Sequence, residues 1–122
     1  MIIGIGTDLI EKERVKKACG KDAFLSYVFT DDEREMIMKK PDRAASNWAV
    51  KEAVAKAMGT GFFGMKIKEI EVLRDEFGKP YVNLYGNART KKEELKIERF
   101  FVSISDTKDY VSAVAVAEGR ND

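Results

Sequence analysis

Glu52 and Lys56 stand four residues apart in an alanine-rich segment, Trp48 to Ala57, that stops at Gly59-Thr60-Gly61. On a helix that spacing puts a carboxylate and an ammonium on one face, one turn apart. The glycine turn that follows lets backbone approach a ligand closely. A carboxylate holds a hard cation and a lysine meets a phosphate, so the pairing suits a metal-bound phosphate ester. The same spacing also describes an ordinary ion pair on a solvated helix face.

A second carboxylate joins them from the start of the chain. Residues 2–10 alternate like a strand, and Asp8 shares its side with Ile2, Gly4, Gly6 and Ile10. Two glycines beside a carboxylate leave room for another backbone or for a ligand. Asp8 could equally end the strand or cap the helix that follows. The chain has no histidine, which removes histidine-based triads and every histidine-ligated metal site. Acid–base work then falls to carboxylates, lysine, tyrosine or metal-bound water. A metal would be held mainly by oxygen, which favours Mg²⁺, Mn²⁺ or Ca²⁺.

The elements that position these groups follow from periodicity and caps. Residues 11–19 read as a short helix stopped by Gly20, with Arg14, Lys17 and Lys21 at helical spacing. That stripe is either a solvated face or a docking surface for an acidic partner. Thr30 and Glu33 make a capping box that opens a helix running to about Lys40. The long helix starts near Asp42 or Arg43. It presents Ser46, Ala49, Val50, Ala53, Val54 and Ala57 as a small-residue arc for packing on a sheet, with Glu52, Lys56 and Trp48 along its edge. Strands are expected at 67–74 and 81–85, joined through Phe77-Gly-Lys-Pro80. A polar helix is expected at 87–96, then a hairpin of 100–105 and 110–117. In the second hairpin strand, Val111, Ala113, Ala115 and Ala117 form a small-residue face. The order indicates an α+β fold, an antiparallel sheet packed on a long Ala-rich helix, as one domain over 1–118 with a loose tail at 119–122. Gly59-Thr-Gly-Phe-Phe-Gly64 matches a dinucleotide fingerprint in letters only. It follows a helix, whose C-terminal dipole end repels phosphate, so a phosphate there would need Lys56 and a cation.

Composition bounds the rest. In 122 residues, 22 basic side chains against 21 acidic ones leave +1, which gives no general electrostatic case for nucleic acid. No apolar run approaches the ~20 residues of a membrane span, and the start lacks the features of a secretory signal. Cys19 is the only cysteine, so an internal disulfide is excluded and a reducing, cytoplasmic setting is expected.

Gly4-Ile-Gly-Thr-Asp-Leu-Ile-Glu11 together with residues 48–61 closely resembles the holo-acyl-carrier-protein synthase family, the small bacterial 4′-phosphopantetheinyl transferases. The resemblance continues through Phe77-Gly-Lys-Pro80 and Val102-Ser-Ile-Ser105 and covers nearly the whole chain. It implies the 4′-phosphopantetheinyl transferase fold and transfer of phosphopantetheine from coenzyme A to a serine of acyl carrier protein. Mg²⁺ is the implied metal, fatty acid biosynthesis the setting, and a homotrimer with shared active sites the assembly. The small-residue strand faces are compatible with such packing. By the same resemblance Asp8 and Glu52 are metal ligands, and Lys56 meets the phosphates and the developing charge. Gly59, Thr60 and Gly61 line the coenzyme A site, Lys79 and Pro80 lie near its nucleotide end, and Ser105 sits in a pocket strand. Arg14, Lys17 and Lys21 resemble the basic first helix that docks the acidic carrier. Glu52, or water activated by it, is the expected base. Two departures stand out: many relatives carry histidine where this chain has Asp106 and arginine where it has Asn47. Both bear on recognition of the coenzyme A 3′-phosphate.

Overall fold

The computed structural model describes residues 1–120. The chain runs β1 (Ile2–Glu11), α1 (Lys12–Ala18), α2 (Asp22–Val28), α3 (Asp31–Lys39), α4 (Arg43–Ala57), β2 (Ile70–Arg74), β3 (Pro80–Leu84), α5 (Gly86–Glu94), β4 (Ile97–Asp106) and β5 (Tyr110–Gly119). All strand pairings are antiparallel, but they form two sheets, β1-β5-β4 and β2-β3. The fold class is thus α+β as expected, with the sheet divided.

Several boundaries differ from expectation: the strand expected at 67–74 is a 3₁₀ turn at Ile67–Glu69 followed by β2, and β4 begins at Ile97, three residues early. β5 runs through Gly119, where Glu118 pairs with Ile2 and Arg99 and the Gly119 amide donates to the Met1 carbonyl. Gly119 therefore belongs to the sheet and not to the tail expected from 119, of which residues 121–122 lie outside the described residues. The seven-residue α2 was not anticipated, and its N-cap, Lys21, offers no capping side chain.

Alternation decides which face of the main sheet is buried. Val111, Ala113, Ala115 and Ala117 of β5 pack inward on α4. The small-residue face is therefore packed against α4 and is not free for the contacts between copies that the resemblance had left open. The opposite face is open and forms the rows Ile5–Val116–Phe101, Thr7–Val114–Ser103 and Leu9–Ser112–Ser105. Ile5 is 65% and Leu9 68% exposed there.

Contact between β1 and α4 is close enough to exclude a methyl group. A Cβ on Gly4 would overlap the Ala57 carbonyl oxygen, and one on Gly6 would overlap the Ala53 carbonyl oxygen. The helix backbone has nowhere to retreat, because Ala53 and Ala57 are themselves buried against the sheet. Gly6→Ala should cost about 3 kcal/mol, read as a lower denaturation midpoint in urea; a loss under ~1 kcal/mol would contradict the packing.

The far side of α4 carries a buried polar cluster. Thr30 caps α3 in the expected box with Glu33. The fully buried Glu33 also receives the Lys51 ammonium at 2.8 Å, the Asn47 amide at 3.0 Å and the Val72 amide at 3.2 Å. Lys51 donates further to the Ile70 carbonyl and lies over the Phe29 ring, 5.5 Å from its centroid. Burial pushes Glu33 up and Lys51 down, each opposed by the other's charge. Every buried side-chain polar atom among the described residues has a partner. This cluster ties α3, α4 and β2 together and fixes how α4 presents its other faces.

Candidate active site

The site is built where β1 crosses α4. Asp8 leaves β1 on the same side as Gly4 and Gly6, so it faces α4 without an intervening side chain. It pairs there with Lys56, whose Nζ lies 3.1 Å from Asp8 Oδ1 and 3.1 Å from the Thr7 carbonyl oxygen. The expected neighbour of Lys56 was Glu52, one turn earlier. The two do lie close enough for the Lys56 charge to act on Glu52, but the ion pair of Lys56 is made across to β1 and not along the helix.

The Glu52 carboxylate makes no hydrogen bond or ion pair among the described residues. Burial is the main force raising its carboxyl above the usual 4.5, Asp8's charge adds to it, and Lys56 opposes it. Glu52 and Asp8 line one groove of about 400 Å³ with Arg14, Trp48 and Phe24. Trp48 stacks on Phe24 with ring centroids 5.3 Å apart, so it serves as packing and as groove wall together. Phe24 comes from the unanticipated α2, and sequence periodicity carried no signal for it.

A carboxylate that is half-buried without a partner destabilises the fold once ionised. Its native pKa lies above its unfolded one, so the penalty is absent below the usual carboxylate range, where both states hold the proton. It grows as pH rises and is complete above the raised native pKa. Metal-free Glu52→Gln should therefore melt higher than the parent at neutral pH and equal to it near pH ~4. Scanning calorimetry at the two pH values checks this; equal melting at both would refute it.

Other expected residues are distributed differently. Arg14 joins the Asp8–Glu52 groove, whereas α1 ends at Ala18 and leaves Lys21 as the N-cap of α2. The basic stripe Arg14, Lys17, Lys21 thus spans two elements and not one helix. Gly59 and Gly61 adopt positive φ (87° and 57°) in the turn after α4, with Thr60 exposed between them. A Cβ would meet nothing there, so the glycines are required by backbone conformation. Lys79 and Pro80 line a second groove, about 490 Å³, with Arg43, Ser46, Arg74 and Asp106. Ser105 does not join either groove. It lies on the outer sheet face, in the row of Leu9 and Ser112, because strand parity turns it away from α4.

The departures at 47 and 106 also have structural explanations. Asn47 is fully buried; its amide donates to Glu33 and the Val72 carbonyl, and its oxygen accepts from Arg74. Asp106 ends β4 as expected for a turn entry, and its carboxylate pairs with Lys12 at 3.3 Å.

Among the described residues no group of three or more His, Cys, Asp or Glu side chains is placed to hold a metal. Two carboxylates in one groove still fit Mg²⁺, which keeps waters and takes substrate phosphates to complete its octahedron. No helix among the described residues is long and apolar enough to cross a membrane.

Comparison with known proteins then decides the family. The sequence model of the 4′-phosphopantetheinyl transferase superfamily matches residues 4–115. This chain belongs to that superfamily. The transferase is 53% identical over 118 residues to holo-[acyl-carrier-protein] synthase of Lachnoclostridium phytofermentans, covering 97% of each chain. Its fold is similar to holo-[acyl-carrier-protein] synthase of Neisseria meningitidis, with TM-score 0.86, 35% identity and coverage of 97% and 99%. It is also similar to the Bacillus anthracis synthase in complex with CoA (3′,5′-ADP), with TM-score 0.81, 31% identity and coverage of 98% and 99%. The transferase is accordingly an enzyme of the holo-acyl-carrier-protein synthase kind.

Proposed function

We propose that the protein moves 4′-phosphopantetheine from coenzyme A to a serine hydroxyl of apo acyl carrier protein, with Mg²⁺, to supply holo carrier for fatty acid biosynthesis in the cytoplasm. One observation carries the reading: Asp8 and Glu52 share a groove, with Lys56 seated on Asp8 at the strand–helix crossing. Asp8 and Glu52 are the residues that would hold Mg²⁺. When bound, the ion offsets negative charge on the diphosphate and on its leaving oxygen.

The serine oxygen bonds to the phosphorus bearing pantetheine, the diphosphate bridge to that phosphorus breaks, and 3′,5′-ADP leaves. The serine proton passes to Glu52 or to a water that Glu52 holds, a task suited to a carboxyl raised by burial. Lys56 exchanges its contact with Asp8 for the phosphates and stabilises charge on the leaving oxygen. Gly59, Thr60 and Gly61 provide an exposed turn for the coenzyme to run along. Arg14 at the groove, with Lys17 and Lys21, steers an acidic carrier.

The active oligomer in this reading is a homotrimer joined through the open sheet face, whose exposed Ile5, Leu9 and Phe101 give it apolar surface to bury. Ile5→Glu should convert the oligomer to monomers by light scattering; an unchanged mass would exclude this face. The function is tested by incubating the protein with apo carrier, coenzyme A and Mg²⁺. The expected result is a carrier heavier by one phosphopantetheine in mass spectrometry. No mass gain with a competent carrier, or cleavage of coenzyme A without one, would overturn it.

A further inference from the structure

Lys56 already occupies the carboxylate that a metal would need. Its ammonium donates to Asp8 Oδ1 and to the Thr7 carbonyl oxygen, each at 3.1 Å. Among the described residues no other group donates to the Asp8 carboxylate. The two partners differ in freedom, with 16% of the Asp8 side chain exposed against 51% for Lys56. Asp8 is fixed by its strand, paired with Ala113 of β5. The ammonium ends a flexible four-carbon stem that swings into water without disturbing the core.

Three charges meet at this crossing. The Glu52 carboxyl feels both of the others, raised by Asp8 and lowered by Lys56. With the ammonium in place, two carboxylates and one cation leave a single negative charge. With it withdrawn, the carboxylates present the two charges that a divalent ion requires. Lys56 therefore opposes the ion twice, by holding an Asp8 oxygen and by cancelling half of the attraction. A divalent ion arriving alone has nothing to offer in return, so the ammonium must go to water. A diphosphate changes this balance. Its oxygens carry full charge and accept from Lys56 at least as well as Asp8 and a neutral carbonyl do.

We propose that Lys56 is an internal counter-ion that keeps the metal site closed until a diphosphate draws it away, so that divalent metal and donor bind synergistically. This rests on the donor's diphosphate lying beside Asp8 and Glu52, as in the transferase reading. Metal affinity of the free protein is then low and rises when coenzyme A is bound. By linkage, metal raises the affinity for coenzyme A by the same factor. The exchange is worth ~10-fold, the upper end for a pair with one partner in solvent.

The test is a titration with Mn²⁺, read by the electron paramagnetic resonance of the free ion and without carrier, so that no transfer occurs. Parent and Lys56→Met are compared alone and saturated with coenzyme A, correcting for Mn²⁺ held by coenzyme A in solution. Alone, Lys56→Met should bind Mn²⁺ ~10-fold more tightly than the parent. With coenzyme A the two should agree within ~3-fold, because in the parent the ammonium has already moved to the phosphates. Equal affinities in the free proteins would overturn the proposal. So would a tenfold gain that persists undiminished with coenzyme A bound, since the ammonium would then repel the ion from a fixed position. The carrier mass assay judges the transferase reading separately. If it shows no transfer, inorganic pyrophosphate replaces coenzyme A in the same titration, and the same outcomes decide the role of Lys56.

Discussion

Asp8→Ala is expected to lower kcat/KM for carrier modification by at least ~10³-fold, about 4 kcal/mol of transition-state stabilisation, with the fold intact. Both halves of that expectation follow from where Asp8 sits. Its only ion pair among the described residues is to Lys56, whose side chain is 51% exposed against 16% for Asp8, and a pair with one end in solvent is worth about 1 kcal/mol. The strand itself is held by backbone pairing to β5 from Ile2 to Glu11, which alanine leaves unchanged. What the variant loses is a carboxylate that lines the same groove as Glu52, and with it half of the side chains proposed to hold Mg²⁺. Added Mg²⁺ should raise the melting temperature of the parent and not of Asp8→Ala. Activity retained within ~10-fold of the parent would mean that Asp8 is not part of the chemistry.

The largest effect on stability is expected at Lys51→Met, about 3–5 kcal/mol. The substitution keeps the length of the side chain but leaves the Glu33 carboxylate buried without its cation, and deprives the Ile70 carbonyl of its donor. Glu33 keeps the Thr30, Asn47 and Val72 donors, so the main loss is charge compensation. Protonating Glu33 removes that charge. The penalty should therefore shrink as pH falls, because without Lys51 the Glu33 carboxyl is pushed further up and takes its proton sooner. Glu33→Gln added to Lys51→Met should recover part of the loss, a coupling that a double-mutant cycle measures by denaturation. Additive losses at every pH would show that the pair contributes nothing as a pair.

These two residues also mark what the sequence could reveal. Asp8 was legible because strand alternation put it beside two glycines, and glycine facing a helix is a local signal. Thr30 and Glu33 were legible as a capping box for the same reason. Lys51 was not: in sequence it is one more cation beside Glu52, and its burial exists only once α3 and β2 close over it. Asn47 was recognisable as a departure from relatives, but its role depends on Arg74 from another strand. The short α2 lacked a capping side chain and a long enough period to show itself. Which face of the sheet meets the helix was not legible, because alternation identifies two faces but does not say which of them is covered.

Residues for both grooves hang on α4, from Arg43 and Ser46 near one end to Glu52 and Lys56 near the other. Ten of its fifteen residues are buried, and the Glu33–Lys51 cluster braces the side opposite the sheet. A rod clamped in this way cannot stretch or rotate to suit what it holds. It acts as a gauge of ~20 Å between Arg43 and Lys56 at ~1.5 Å per residue. A donor is then read by its length, the separation of its charged groups, as much as by their identity. One residue inserted into α4 would turn the two ends of the gauge ~100° out of line, so this stretch of the chain must keep its length while the loops around it are free to vary.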